Sequence, residues 1–206
     1  MSARSPSSSL PAFVKPMLAS SSPAFDDDDY VFEVKWDGIR MLAFLEAASY
    51  RLCNRHGIDT TCRYPEFGFL REWPPGIILD GEMVVLQNGR PDFALLQSRD
   101  KTRSLLKIRT LSQVQPATFV AFDLLYDNYA PLFDLPLLER RERLQELLRQ
   151  WCHPRLLFSQ GIVGKGQALF QETCRQNLEG IMAKRISSRY RPGRRGKEWL
   201  KIKPRR

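Results

Sequence analysis

Histidine is almost missing from this chain: two among 206 residues, His56 and His153. Neither stands at metal-ligand spacing from other ligating residues, so a turn residue and a surface residue are expected there. The four cysteines (Cys53, Cys62, Cys152, Cys174) form no CxxC pair. Scattered, reduced and mostly buried thiols are therefore expected in place of a disulfide framework or zinc site. No apolar run approaches the ~20 residues that cross a bilayer, and the opening MSARSPSSSL has no apolar stretch of a secretory signal. Apolar and charged residues are not scarce, at 43% and 27%, which argues against a disordered or collagen-like chain. The length fits one large domain or two small ones.

Acidic residues are what the C-terminal end lacks. From Lys184 to Arg206 there are eleven Lys/Arg and one acid, Glu198, a net +10, so the chain's whole excess of +9 lies there and the rest sums to −1. Such a block attracts polyanions: nucleic acid, nucleotide phosphates or an anionic membrane. A solvated basic tail is the plain alternative. Pro192 and glycines interrupt the block without an amphipathic helix, which makes a membrane the weakest of these partners.

Residues 1–10 are Ser-rich and expected to be a disordered tail, with ordered structure from 11 to 206. Asp26–Asp29 reads as a solvated loop. Tyr30 to Trp36 (YVFEVKW) alternates, with Val31, Glu33 and Lys35 on one face and four apolar residues on the other. A turn at Asp37-Gly38 then leads to Met41–Leu45 and to Tyr50–Asn54, which together read as an antiparallel meander. Ile77–Val85 is a strand signal and Asn88-Gly89 a hairpin turn. A short helix is expected over Asp92–Arg99, a buried strand over Thr118–Tyr126 and an amphipathic helix over Leu137–Trp151 with Pro136 near its first turn. A helix over Gly166–Gln176 and short strands at Gly180–Arg185 and Trp199–Lys203 follow, with RYRPGRRGKE between those strands a basic loop. Strands in antiparallel pairs with helices between them make the class α+β.

Several residues could carry chemistry. Lys35 is either a surface charge or an amine held in a pocket; a tight reversal at Asp37-Gly38 would bring Arg40 beside it, and a neighbouring cation favours the neutral, nucleophilic amine. Asp80 and Glu82 share a strand face, and Glu82 with Glu179 could hold Mg²⁺ if the fold brings them together, the alternative being two ordinary strand-end acids. Lys201 and Lys203 alternate onto one face and suit a phosphate, or else protect an edge strand from pairing.

In chain order these pieces resemble one family. KWDGIR (35–40), the turn Arg55-His56-Gly57, LDGE (79–82), FVAFDLLY (119–126), EGIMAK (179–184) and EWLKIK (198–203) are similar to motifs I, the following RxG element, III, IIIa, IV and V of ATP-dependent DNA ligases. FVKPMLAS (13–20), PDFALLQSR (91–99) and the segment 187–204 are most similar to the ligase domains of bacterial end-joining repair ligases. The resemblance implies a nucleotidyltransferase (adenylation) domain with antiparallel sheets flanked by helices, ATP-grasp-like. It implies that Lys35 forms a covalent lysyl-AMP from ATP, that AMP passes to the 5′-phosphate of a nick in double-stranded DNA, and that the 3′-hydroxyl then displaces it. Glu33 is implied to read the adenine amino group and Phe122 to stack on the base. Arg40 and Arg55 would contact nucleotide or nick, and Lys184, Lys201 and Lys203 the α-phosphate. Glu82 and Glu179 would hold Mg²⁺ (or Mn²⁺), with Glu82 also at the ribose. Arg195 and Trp199 match a family Arg-x-x-x-Trp spacing, and Arg191, Arg194, Arg195 and Lys197 are candidate DNA contacts.

The family pattern continues into an oligonucleotide-binding (OB) domain with motif VI, and this sequence stops at Arg206. Either it is an excised catalytic domain or it is a minimal protein that borrows that domain's function from a partner, an OB-fold domain or other repair protein acting in trans; we therefore expect weak sealing by the domain alone, a monomer, and a cytoplasmic, nucleoid-associated bacterial location. The competing expectations are an RNA ligase or mRNA-capping nucleotidyltransferase, and a non-catalytic nucleic-acid-binding module. His56, His153, Asp37 and Asp123 are read as structural.

Overall fold

The computed structural model describes residues 9–204. Its elements run β1 (Leu18–Ser21), β2 (Tyr30–Val34), β3 (Ile39–Glu46), β4 (Ser49–Asn54), β5 (Ile77–Gln87), β6 (Arg90–Pro91), α1 (Phe93–Lys101), α2 (Leu105–Val114), β7 (Ala117–Asp127), β8 (Ala130–Pro131), α3 (Leu137–Gln150), β9 (Leu156–Phe158), β10 (Gly161–Val163), α4 (Gly166–Arg175), β11 (Ile181–Arg185) and β12 (Arg195–Ile202). Two short 3₁₀ segments, Thr61–Arg63 and Pro65–Glu72, link β4 to β5.

The strands form two sheets. One has the order β1-β12-β11-β2-β10; the other has β4-β3-β5-β7-β8, with β6 on β5 and β9 on β7. Antiparallel pairing dominates, as the sequence suggested, but β1–β12 and β7–β9 are parallel. Between the sheets Val31, Leu42, Phe44, Ile78, Leu125 and Trp199 form one core. The outer face of the second sheet packs Leu79, Met83 and Phe119 against Leu96 of α1 and Leu144 and Leu148 of α3. The outer face of the first packs Phe32, Ile181 and Ile202 against Leu169 and Phe170 of α4. Each such buried Phe or Leu contributes about 1.5–3 kcal/mol, so the alternation of β2 fixes its faces: Phe32 goes to α4 and Val31 to the space between the sheets.

The meander is corrected. β2 lies in the first sheet beside β11 and β10, while β3 and β4 belong to the second. The Asp37-Gly38 turn is therefore not a hairpin but a crossing from one sheet to the other. Gly38 is required there by close approach: a Cβ would lie 2.2 Å from the Met83 carbonyl oxygen.

Local signals fared better. Asn88 and Gly89 have φ of 51° and 76°, the left-handed pair a tight hairpin needs. Asp92 caps α1 by accepting from the Leu95 N–H at 2.9 Å. Pro136 is the cap residue of α3, immediately before its first turn. β12 begins at Arg195, so the second half of the expected basic loop is strand. α2 escaped notice because its apolar residues do not make a stripe: Ile108 is buried whereas Leu105 and Leu106 face solvent.

Asp26 is more than a solvated loop residue, since it accepts from the Gln167 N–H at 2.8 Å at the start of α4. Only Cys53 is a buried thiol; Cys62 and Cys152 are exposed, and all four are free. Leu10 is buried against the inter-sheet core, so order reaches into the segment expected to be a tail; residues 1–8 of that expectation lie outside the described residues, as do Arg205 and Arg206. Among the described residues, no helix is long and apolar enough to cross a membrane.

Candidate active site

A cavity of about 280 Å³ opens between the two sheets. The first sheet supplies Glu33 and, just past the end of β2, Lys35; β11 adds Met182 and Lys184, and β12 adds Lys201, with Lys203 just beyond it. The second sheet supplies Arg40 from β3, Glu82 from β5 and Phe122 from β7, and Arg55 comes from the turn after β4. Nine residues singled out from the sequence as nucleophile or nucleotide contacts thus share one lining. The alternation of β2 explains part of this, because Glu33 and Lys35 point the same way.

Lys35 is held from both ends. Its backbone N–H donates to the Gly180 carbonyl at 2.9 Å, and its Nζ donates to Glu179 Oε2 at 2.5 Å. Gly180 sits at φ 123°, and a Cβ there would lie 2.1 Å from the Ile202 carbonyl oxygen, so this contact excludes other residues. The other Glu179 oxygen accepts from Lys203 Nζ at 2.5 Å. One carboxylate therefore fixes two lysines at the mouth of the cavity.

Arg40 does not stand free beside Lys35. Asp80, fully buried, receives its Nε and Nη2 at 2.6 Å each and the Tyr190 hydroxyl at 2.7 Å. Burial and the Asp80 charge push the Tyr190 hydroxyl well above the usual tyrosine range. Tied down this way, the Arg40 guanidinium lies 4.6 Å from the centre of the Phe122 ring. On the same ring Lys184 Nζ lies at 3.9 Å, and Trp199 packs edge-on at 6.1 Å. Trp199 Nε1 has no acceptor among the described residues.

Glu33 is buried at the inner end. Arg141 Nη1 donates to its Oε1 at 2.6 Å, and Lys184 Nζ lies 3.0 Å from Oε1 and 3.1 Å from Oε2. Loss of hydration lowers the Lys184 ammonium to about 8; the Glu33 charge opposes this and Arg141 adds to it. Burial pushes Glu82 up to about 8, against the pull of Arg40 and Lys35. A carboxyl so reluctant to ionise suits a place where a cation arrives from outside.

Glu82 and Glu179 do not form a ready metal cage. Glu179 is committed to Lys35 and Lys203, and no group of three or more His, Cys, Asp or Glu suited to a metal occurs among the described residues. The donor set fits a cation bound through one or two carboxylates and completed by nucleotide phosphates. The proposed DNA contacts also divide. Arg195 lines the cavity, Arg191 and Arg194 line a shallow depression with Arg189 and Asp134, and Lys197 is exposed on β12.

Three participants went unnoticed in the sequence. Arg141 and its neighbour Arg140 belong to the stripe Leu137, Arg140, Arg141, Leu144, Leu148 that α3 buries; two arginines at apolar-stripe positions were the available signal. Asp80 was read only as a neighbour of Glu82, and Met182 only as part of the expected strand Gly180–Arg185. His56, in the turn after β4, accepts from Arg55 at 3.0 Å, and His153, expected at the surface, is half-buried and stacks on Phe69. Asp123 pairs with Arg140 in the core, the structural role expected of it.

Known proteins resemble this chain over most of its length. Residues 16–203 match the family described as "ATP dependent DNA ligase domain". A DNA ligase-like protein, LigB, from the SPbeta prophage of Bacillus subtilis is 32% identical over 92% of this chain and 67% of its own length. The multifunctional non-homologous end joining protein LigD of Pseudomonas aeruginosa is 34% identical over 94% of this chain, but the match spans only 22% of LigD. The crystal structure of the ligase domain from M. tuberculosis LigD superposes with a TM-score of 0.77 at 33% identity, covering 92% of this chain and 60% of that one.

Proposed function

The chain belongs to the ATP-dependent DNA ligase family, and from that premise we propose that its cavity binds ATP and makes Lys35 the carrier of AMP for sealing nicked double-stranded DNA. The observation that carries this reading is the position of Lys35: its amine is held by Glu179 and its backbone by the Gly180 carbonyl, at the mouth of a cavity that holds Glu33 and Phe122. The base stacks on Phe122 and donates its amino group to Glu33 at the inner end. The phosphates meet Lys201, Lys203, Lys184 and the arginines at the mouth, where positive charge stabilises the transferring phosphoryl group.

Attack requires a neutral amine, and Glu179 Oε2, at 2.5 Å, is placed to take one proton from Lys35. The N–P bond then forms, the P–O bond to pyrophosphate breaks, and the second amine proton leaves to solvent. The basic segment 189–197, which runs into the first residues of β12 and has Arg195 in the cavity lining, supplies phosphate contacts to the duplex. AMP passes from Lys35 to the nick 5′-phosphate, and the 3′-hydroxyl displaces it. Glu82, with the nucleotide phosphates, would hold Mg²⁺, which when bound neutralises phosphate charge.

The test is the intact mass of the protein before and after incubation with ATP and Mg²⁺. Wild type gains one adenylyl group, pyrophosphate removes it, and Lys35→Ala gains none. An adduct that survives in Lys35→Ala, or wild type that acquires none, overturns the reading.

A further inference from the structure

Glu33 has two oxygens with about four lone-pair positions between them. Arg141 occupies one on Oε1, and Lys184 reaches both oxygens. One position on Oε2 is left, and Glu33 lines the cavity. What fixes the direction of that lone pair is the hold that Arg141 has on the rest of the structure. Its Nη2 donates to the Ser159 carbonyl at 2.9 Å, and its guanidinium carbon lies 4.7 Å from the centre of the Phe158 ring. Ser159 in turn is anchored twice: its N–H donates to the Ala121 carbonyl at 2.8 Å, and its Oγ accepts from Trp36 Nε1 at 3.2 Å. A planar fork with this many constraints cannot swing, and a lysine in its place would be a flexible point charge without the fork.

We propose that Arg141 is the positioning residue for base choice: it holds Glu33 as a pure acceptor at the inner end of the cavity, so that a 6-amino purine is taken and a 6-oxo purine refused. This deepens the nucleotide-binding reading above and rests on it. Adenine offers an N6 donor where guanine offers an O6 acceptor. Against a carboxylate whose other positions are already filled by fixed donors, O6 meets a lone pair and finds nothing to accept from. A site built around a required hydrogen bond rejects the analogue lacking it far more strongly than a merely apolar site does. Lys184 alone would not suffice. It is a single flexible amine that also lies over Phe122, and without the fork it can turn toward O6 and donate to it.

The experiment is the ratio of covalent labelling rates with ATP and with GTP, in wild type, Arg141→Gln, Arg141→Lys, Glu33→Gln and the double variant Glu33→Gln/Arg141→Gln, each checked for a cooperative melt. Arg141→Gln lowers the ATP-to-GTP ratio at least about tenfold, the scale of one misdirected hydrogen bond, and Arg141→Lys recovers part of it. In the Glu33→Gln background, Arg141→Gln moves the ratio no further, because its effect passes through Glu33. An Arg141→Gln protein that is slower with both nucleotides in equal proportion overturns the proposal and leaves Arg141 a purely structural residue. The same follows from an effect undiminished in the Glu33→Gln background. Should Arg141→Gln not fold, Arg141→Lys decides the matter alone: a ratio equal to wild type refutes the proposal. Wild type that labels with neither nucleotide refutes the function proposed above. The ratio of ATP to GTP dissociation constants, measured by calorimetry on the same proteins, then judges Arg141 independently.

Discussion

Replacing Arg140 with methionine is the sharpest test of how the second sheet is held behind the cavity. Arg140 and Asp123 are both fully buried, with Nε to Oδ1 at 2.7 Å and Nη2 to Oδ2 at 2.8 Å. Arg140 Nη1 also donates to the carbonyls of Leu135 at 2.6 Å and Ser188 at 3.1 Å. The pair ties α3, β7 and the segment before Tyr190 into one unit directly behind Phe122. Arg140→Met strands a buried carboxylate and removes the donor from two carbonyls. Breaking a buried pair from one side costs about 3–5 kcal/mol. For a chain of this size each kcal/mol lowers Tm by about 2–4 °C, so Tm falls by about 6–20 °C. The compensated variant Arg140→Met/Asp123→Leu removes both charges together and regains most of the loss, ending within about 2 kcal/mol of wild type, because an apolar pair of similar volume replaces a buried ion pair at little net cost. Urea unfolding followed by circular dichroism gives all three free energies. Equal losses in the single and double variants would show that the carbonyl contacts, not the ion pair, carry the stability. A loss below about 1 kcal/mol in the single variant would show that water reaches the pair.

Two further outcomes follow from the charges at the cavity. Glu82 rises from 4.5 to about 8 on folding, so the native state holds a proton that the unfolded chain releases, and stability falls as pH rises through that window. Glu82→Gln removes the titration; in metal-free buffer its melting temperature declines less than that of wild type between pH 5 and about 8, and parallel curves refute the shift. On the proposed function, Arg191→Ala/Arg194→Ala reduces the slope of log K against log salt for nicked duplex binding by about 2, and an unchanged slope takes both residues out of the interface.

What could be read from the sequence was whatever lies within one strand or one turn. The alternation of β2 placed Glu33 and Lys35 on the inter-sheet face, the Asn88-Gly89 pair marked its hairpin, and Asp92 marked the start of α1. The distribution of strands between sheets was not legible, since nothing in Tyr30–Asn54 distinguishes a meander from a chain that changes sheets. The pairing of β2 with β11 and β10, and of β3 with β4 and β5, reveals the crossing. Partners distant in sequence were hidden for the same reason: Arg40 meets Asp80 across 40 positions and Arg141 meets Glu33 across 108. Arg140 and Arg141 were legible in principle, because a charged residue in the buried stripe of a helix requires a buried partner.

The crossing at Gly38 also explains why the motif around Lys35 places its charged residues as it does. In a hairpin, Lys35 and Arg40 would be neighbours on one sheet and would repel at close range. With the chain changing sheets between them, Lys35 is bound to Glu179 at the first sheet and Arg40 to Asp80 at the second, so the two cations face one cavity from opposite walls. Each has its own carboxylate, and neither needs the other's to be stable. With those two cations paired, the excess positive charge facing the space comes from Arg55, Arg195 and Lys201, which line the same cavity, and such a field attracts a polyphosphate. The tight approach at Gly38 therefore does for the site what a hairpin could not: it separates the amine from the guanidinium while keeping both within reach of one ligand.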